Sequence, residues 1–290
     1  MESWRSRLLR KVLLAKGIKK KWGTPKQKRR YDSHFPNRWV RHGCSVEQFQ
    51  VQKNTVTILK PKRVKTKKIL FFIHGGAFVY GPTAFHWEML CDIAKQSGCV
   101  AWMVTYPKTP EYQVVEVVDN IIAAYQSALK RYDASRLVLA GDSAGGNLLL
   151  VLSLKAKELG LPQPAALIPI CPLVDGRLSN PEILAVDKRE PLLNVQHLHV
   201  IRGWYLGRSS AMAPFVSPLF GDLSGLPPIY MFIATDDILM PDGRLFVEKA
   251  REQGTSIRVY EGKDMVHVWP IFPIPEAKQA RKEMVRVLLE

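Results

Sequence analysis

Arg136-Leu-Val-Leu-Ala-Gly-Asp-Ser-Ala-Gly-Gly-Asn-Leu-Leu-Leu-Val-Leu152 is the stretch on which the fold turns. Its first part, Leu137–Ala140, is a short, unbroken apolar run of the kind that fills a strand buried on both faces. From Asn147 onward the apolar residues continue too long for a strand and read as a buried helix. Between the two lies Gly141-Asp142-Ser143-Ala144-Gly145, a G-x-S-x-G pattern. A chain that passes directly from strand to helix is crowded on both sides of the turn, so small residues must flank it. Such a turn thrusts the serine hydroxyl outward at the head of the helix. An incidental Gly/Ser turn has no need of a strand before it and a helix after it. Ser143 is therefore a candidate nucleophile.

Working outward, short apolar runs alternate with longer amphipathic ones. Strands are expected at Ile69–Ile73, Val100–Thr105, Leu137–Ala140, Ala166–Cys171, Ile229–Ala234 and Ile257–Tyr260, with Phe49, Val51, Val56 and Ile58 in earlier ones. Helices are expected near 86–97, 114–131, 144–159, 242–253 and 276–289. The alternation implies crossover connections, hence a mostly parallel central sheet flanked by helices. Between Cys171 and Ile229 it breaks: helical stretches near 181–186 and 194–206 occur without a buried strand. An insertion there should sit above the C-terminal ends of the strands, where α/β sheets bind ligands.

A nucleophilic serine needs donors for the oxyanion, a base, and a carboxylate to orient the base. His74-Gly75-Gly76-Ala77-Phe78 directly follows the Ile69–Ile73 strand. Its glycines can turn backbone N–H groups toward a ligand, so Gly75 and Gly76 are expected to form the oxyanion hole with Ala144. His74 is expected to hold the loop rather than react. Of the histidines after the serine, His197 and His199 fall in the insertion, and only His267 occupies a loop after a strand. The acid must lie between serine and histidine in the chain. Asp236 and Asp237 both end the Ile229–Ala234 strand, and Asp242 is a third candidate, although it has the look of an early helix residue whose charge suits the N-terminus.

Composition is that of a globular protein, with 47% hydrophobic and 23% charged residues among 290. No apolar stretch approaches the roughly 20 residues of a membrane span. The first residues are interrupted by Arg10, Lys11 and Lys16 and form no signal-peptide core. Cys44, Cys91, Cys99 and Cys171 are widely spaced, and Cys99 and Cys171 lie in apolar runs. No disulfide framework, metal site or cofactor is expected, and a cytoplasmic location follows. The net charge of +16 is uneven, because residues 1–42 hold 14 Lys/Arg against Glu2 and Asp32. No nucleic-acid-binding pattern accompanies them. Trp4, Leu8, Leu9, Val12, Leu13 and Ile18 make residues 3–20 an amphipathic helix whose apolar stripe should be covered by the rest of the chain. Its basic face is either simply solvated or touches a lipid surface. Residues 23–43 read as a connector.

With those motifs in view, the chain from about residue 68 to its end resembles the hormone-sensitive-lipase family of α/β-hydrolase esterases, the bacterial branch especially. The likeness rests on His74-Gly-Gly-Ala-Phe78, Gly141-Asp-Ser-Ala-Gly-Gly-Asn147, Val216-Ser-Pro-Leu-Phe220, Asp237-Ile-Leu-Met-Pro-Asp-Gly243, and Tyr260-Glu-Gly262 followed by His267. The resemblance implies an α/β-hydrolase fold and selects Asp237 as the acid. It also implies a helical cap made of the N-terminal segment and an insertion near 176–215, dividing the chain into a cap segment, 1–45, and a catalytic domain, 46–290. Pairing of copies through the last strand and helix is implied as well. The chain departs from the family at Thr105-Tyr-Pro-Lys-Thr-Pro-Glu111, at Ala77 and at Ile238. None of these touches the three expected catalytic residues.

The expected activity is that of a serine carboxylester hydrolase working through an acyl-enzyme on short- to medium-chain esters. Asp142, Trp204, Tyr205 and Phe215 are expected to line the substrate pocket. A deacetylase or amidase on the same fold is an alternative, because acyl-transfer chemistry is common to all of them. So is a non-catalytic small-molecule receptor, as in plant gibberellin receptors, which resemble the family but have lost the histidine.

Overall fold

The computed structural model describes residues 2–21 and 32–290. Residues 22–31, part of the expected connector, lie outside that description. Eight strands form one sheet in the order β1-β2-β4-β3-β5-β6-β7-β8. They are β1 (Cys44–Val51), β2 (Asn54–Pro61), β3 (Ile69–Ile73), β4 (Val100–Thr105), β5 (Leu137–Asp142), β6 (Ala166–Ile170), β7 (Ile229–Asp236) and β8 (Ile257–Val266). β2 runs antiparallel to β1 and β4, and every pairing from β4 onward is parallel.

The parallel strands connect through α4 (Ala84–Ser97), α5 (Val114–Leu129), α6 (Ala144–Glu158) and α9 (Met240–Glu252), and α10 (Pro275–Leu289) ends the chain. The reason lies in the strands themselves. β3, β5 and β6 are buried at every residue, so both faces of the sheet must be covered, and only crossover helices can do that while keeping neighbouring strands parallel. One apolar layer, including Phe71, Trp102, Tyr125, Leu139 and Leu148, fills one side of the sheet. The other, including Phe72, Trp87, Leu90, Ile168 and Met284, fills the opposite side.

The expected insertion is present between β6 and β7. It carries α7 (Glu182–Asp187) and α8 (Val195–Leu206) and contributes no strand to the sheet. Asn147, in the first turn of α6, ties it down by donating from its amide to the carbonyls of Leu173 and Val216, each at 2.8 Å.

The N-terminal helices α1 (Trp4–Ala15) and α2 (Ile18–Lys21) pack over this end of the sheet, and α3 (Arg38–Gly43) leads into β1. α3 corrects the reading of 23–43 as connector throughout. Asn37 starts it by accepting from the Val40 N–H, a local signal that a Pro- and charge-rich stretch obscures. The expectation for the apolar stripe of α1 is also corrected. Leu13 is buried and Leu9 and Ile18 are partly so, but Trp4, Leu8 and Val12 face solvent. Polar anchors set the rotation of the helix. Ser3 donates from its N–H and hydroxyl to Glu276, at 2.6 and 3.0 Å. Arg10 donates to Asp236 at 2.6 Å and to the Asp264 carbonyl at 2.8 Å. Lys19 holds the Asp187 carboxylate at 2.8 Å. Among the described residues no helix is long and apolar enough to cross a membrane.

Candidate active site

Three loops at the C-terminal edge of the sheet bring the candidate residues together. The first is the turn from β5 into α6. Ser143 stands there at φ 53° and ψ −118°, a conformation held only because its surroundings leave no other. The flanking glycines are a packing necessity. A Cβ on Gly141 would lie 2.6 Å from the Gly145 carbonyl oxygen, and one on Gly145 would strike the carbonyls of Ile73 and His74.

The second loop follows β7 and carries Asp237, and the third follows β8 and carries His267. His267 Nδ1 donates to Asp237 Oδ2 at 2.8 Å, and His267 Nε2 accepts from the Ser143 hydroxyl at 2.9 Å. Asp237 Oδ1 accepts from the Leu239 N–H at 2.9 Å, which fixes the carboxylate plane. All three side chains are buried. Burial opposes charge on His267, but the Asp237 carboxylate beside it, with Glu190 and Asp142 further off, outweighs that and holds its pKa above the ordinary imidazole value.

Asp236 is turned away, paired with Arg10 and Arg189 at 2.6 and 3.0 Å. Asp242 sits in the first turn of α9 and accepts from the Asn180 amide at 2.9 Å. Of the three acids weighed from sequence, Asp237 alone reaches the histidine. His197 and His199 lie on α8, away from this chain of hydrogen bonds.

The loop after β3 is arranged differently from expectation. The Gly75 N–H is not directed at the serine, because it donates to Asp142 Oδ1 at 2.8 Å. The N–H groups of Gly76, Ala77 and Ala144, by contrast, have no acceptor among the described residues. Gly76 at φ 114° and Ala77 at φ 51° supply the left-handed turn that presents them. Sequence spacing could not separate Gly75 from Gly76, since the difference is which amide the buried carboxylate claims.

Asp142 thus clamps the loop rather than meeting substrate with a free carboxylate. Its second partner, His86 Nε2, lies 3.0 Å from Oδ1. His86 Nδ1 accepts from the Thr83 N–H at 3.0 Å, so Nε2 carries the hydrogen given to Asp142. Nothing in the sequence around His86 marked it for this. His74 holds the loop as expected: Nδ1 donates to the Gly75 carbonyl at 2.6 Å and the ring stacks on Tyr106 at 4.6 Å.

Two cavities open at Ser143. The smaller, about 40 Å³, is lined by Ala77, Phe78, Ala144 and residues of the insertion such as Leu178, Leu193, Leu198 and Tyr205. The larger, about 350 Å³, is lined by Gly76, Phe85, Asp142 and His267 and by Leu9, Val12, Leu13, Lys16 and Ile18 from the N-terminal helices. Of the four residues expected in the pocket, Tyr205 lines the smaller cavity and stacks on Phe78 at 3.8 Å, and Asp142 lines the larger. Trp204 and Phe215 line neither. Trp204 packs beside Ile201 and Tyr80, and Phe215 lies under Lys155, because successive helix and loop residues point in different directions.

Two buried groups escaped the sequence reading. Glu190 accepts from the Leu192 N–H at 2.7 Å and leaves its other oxygen without a partner. Burial, with Asp237 nearby, pushes its pKa up to about 8. The Cys171 sulfur, which had read as a small buried hydrophobe, lies within 4.8 Å of Asp237 and His267 ligand atoms. The Asp237 and His267 atoms that could bind a metal there are already bound to each other.

The α/β-hydrolase fold model matches residues 70–271. The chain belongs to the α/β-hydrolase fold family, among esterases of the hormone-sensitive-lipase type. An esterase from Acinetobacter venetianus is 33% identical over 221 residues, covering 73% of this chain and 72% of that protein. An acetyl-hydrolase from Streptomyces hygroscopicus is 29% identical over 229 residues, covering 78% and 76%. A hormone-sensitive lipase from a metagenome library has a TM-score of 0.89 at 28% identity, covering 100% of this hydrolase and 98% of that chain. An esterase of the bacterial hormone-sensitive lipase family gives 0.88 at 28%, covering 100% and 99%.

Proposed function

We propose that this hydrolase is a serine carboxylester hydrolase that acts through an acyl-enzyme, with Ser143 as nucleophile, His267 as general base and Asp237 as its orienting acid. The observation that carries the reading is the unbroken hydrogen-bonded path from Ser143 Oγ through both imidazole nitrogens to Asp237. In attack, the Ser143 proton passes to His267 Nε2 as the Oγ–carbon bond forms. The N–H groups of Gly76, Ala77 and Ala144 receive the oxyanion. As the carbonyl re-forms, the ester C–O bond breaks and His267 gives its proton to the departing alcohol. Water then repeats the sequence in reverse roles to release the acid. Each oxyanion donor is worth about 3 kcal/mol of barrier.

The linings of the two cavities support an assignment of the substrate's halves. The leaving alcohol must lie beside His267, which protonates it, and His267 lines only the larger cavity. The acyl group therefore enters the smaller one, walled by the insertion. A water position needs about 10–15 Å³, so 40 Å³ accommodates a chain of only a few carbons. This favours the short end of the short- to medium-chain range, carried on bulkier alcohols, and includes deacetylation. It accords with a relative named acetyl-hydrolase. On this reading the N-terminal helices α1 and α2 and the 176–215 insertion are two parts of one cap, the former walling the larger cavity and the latter the smaller.

With p-nitrophenyl esters of increasing acyl length, kcat/KM should peak between acetyl and butanoyl and fall about tenfold or more by octanoyl, since a chain that cannot desolvate in the pocket loses its transfer free energy. Leu198→Ala should move the peak to longer chains. A peak at long chains in the parent would sink the assignment.

The pH profile carries a second expectation. The base must be neutral to accept the serine proton, and its pKa is held above about 6.5. Activity is thus lost as pH falls through a midpoint higher than that of a free imidazole. A pH–kcat/KM profile with its acid limb at or below 6.5 would contradict this.

A further inference from the structure

The outward face of α1 has an order that the fold does not need. Trp4, Leu8 and Val12 follow one another at a spacing of four, so they form a ridge along one side of the helix. They are 63%, 50% and 39% exposed. Arg7 and Lys11 border this ridge on one flank, and Arg5 on the other. Arg5 lies over the Trp4 ring at 5.3 Å. Arg7 and Lys11 have no ion-pair partner among the described residues. The cations that fasten the segment, Arg10 and Lys19, are different ones. A merely solvated face would place its charges at the centre. Here an apolar ridge runs between basic flanks, with Leu14, 59% exposed, beyond Arg7.

The same helix is the roof of the larger cavity. Val12 belongs both to the exposed ridge and to the cavity wall, and Phe85, itself 40% exposed, stands on the wall as well. The mouth leading to Ser143 therefore opens beside the apolar ridge.

We infer that the outer face of α1 seats this hydrolase on an anionic lipid surface, with the mouth of the larger cavity at the interface. Trp4 and Leu8 enter the headgroup boundary, and the bordering arginines and Lys11 meet lipid phosphates. The alcohol half of an ester dissolved in the bilayer then reaches His267 without crossing water. A nucleic acid would use the cations but leave the aliphatic ridge against water, so the lipid surface fits both halves of the pattern. The inference rests on the esterase reading only for what enters the mouth. Binding is measured without turnover, so either idea can fail alone.

The full chain is sedimented with mixed phosphatidylcholine/phosphatidylglycerol vesicles and with pure phosphatidylcholine vesicles. Binding is expected to the mixed vesicles and to fade with added salt. The triple variant Arg5→Gln/Arg7→Gln/Lys11→Gln should partition about a hundredfold more weakly. The double variant Trp4→Ser/Leu8→Ser should lose about tenfold or more. Both should keep the parent's circular dichroism melting curve and its turnover of dissolved p-nitrophenyl acetate. No sedimentation with the mixed vesicles overturns the proposal, and so does undiminished binding by either variant. A parent that is dimeric without vesicles, and a double variant that is monomeric, would assign the ridge to a second copy and overturn it too.

Discussion

Ser143→Ala is expected to lower turnover of p-nitrophenyl acetate by about a millionfold, to the residual rate that binding and oxyanion donors sustain alone. The size of the loss follows from the roles assigned. Without Oγ no acyl-enzyme forms, and His267 has no proton to take. Folding should survive, because alanine keeps the Cβ that already tolerates φ 53° at this turn. The parent should be labelled stoichiometrically by a fluorophosphonate and the variant not at all. Labelling also separates this reading from a non-catalytic receptor on the same fold, since a receptor has no activated serine to phosphonylate. Turnover by the variant near the parent rate, or labelling that persists, would remove Ser143 from the mechanism.

Asp237→Asn should cost about ten thousandfold in kcat while leaving the fold intact. An asparagine amide offers N–H to His267 Nδ1, which turns the ring to the tautomer with hydrogen on Nε2. That nitrogen then faces the Ser143 hydroxyl as a donor and cannot accept its proton. The Coulombic support for imidazolium disappears as well, so the acid limb should move down in pH. Asp236→Asn provides the comparison. It breaks ion pairs to Arg10 and Arg189 but leaves the 2.8 Å contact between Asp237 and His267 in place. Its kcat should stay within about tenfold of the parent, as expected for a group outside the reacting path. If the two variants exchanged these behaviours, the acid would be Asp236.

Much of this protein was legible before any coordinates. The strands β3 and β4 begin and end where the sequence places them, because their fully buried residues are all apolar. β7 and β8 run on beyond their apolar cores to Asp236 and Val266. There the two strands pair with each other through residues of mixed type, Asp236 opposite Val266, and residue type is a weak guide. The Gly141–Gly145 turn was readable for a steric reason, as backbone carbonyls occupy the space any side chain would need. α3 was missed because one capping asparagine within a charged stretch carried the whole signal.

What the sequence by itself determined was the sheet, the serine turn, and the order in which serine, acid and histidine follow three strand ends. These are local matters of period, size and succession. The tertiary structure alone decided that Asp142 takes the Gly75 amide and leaves the next two N–H groups free, and which side of α1 meets solvent. Each of those is a competition among groups far apart in the chain for one hydrogen-bond partner or one patch of surface. Such contests are settled by distance and direction in three dimensions, to which sequence spacing is blind.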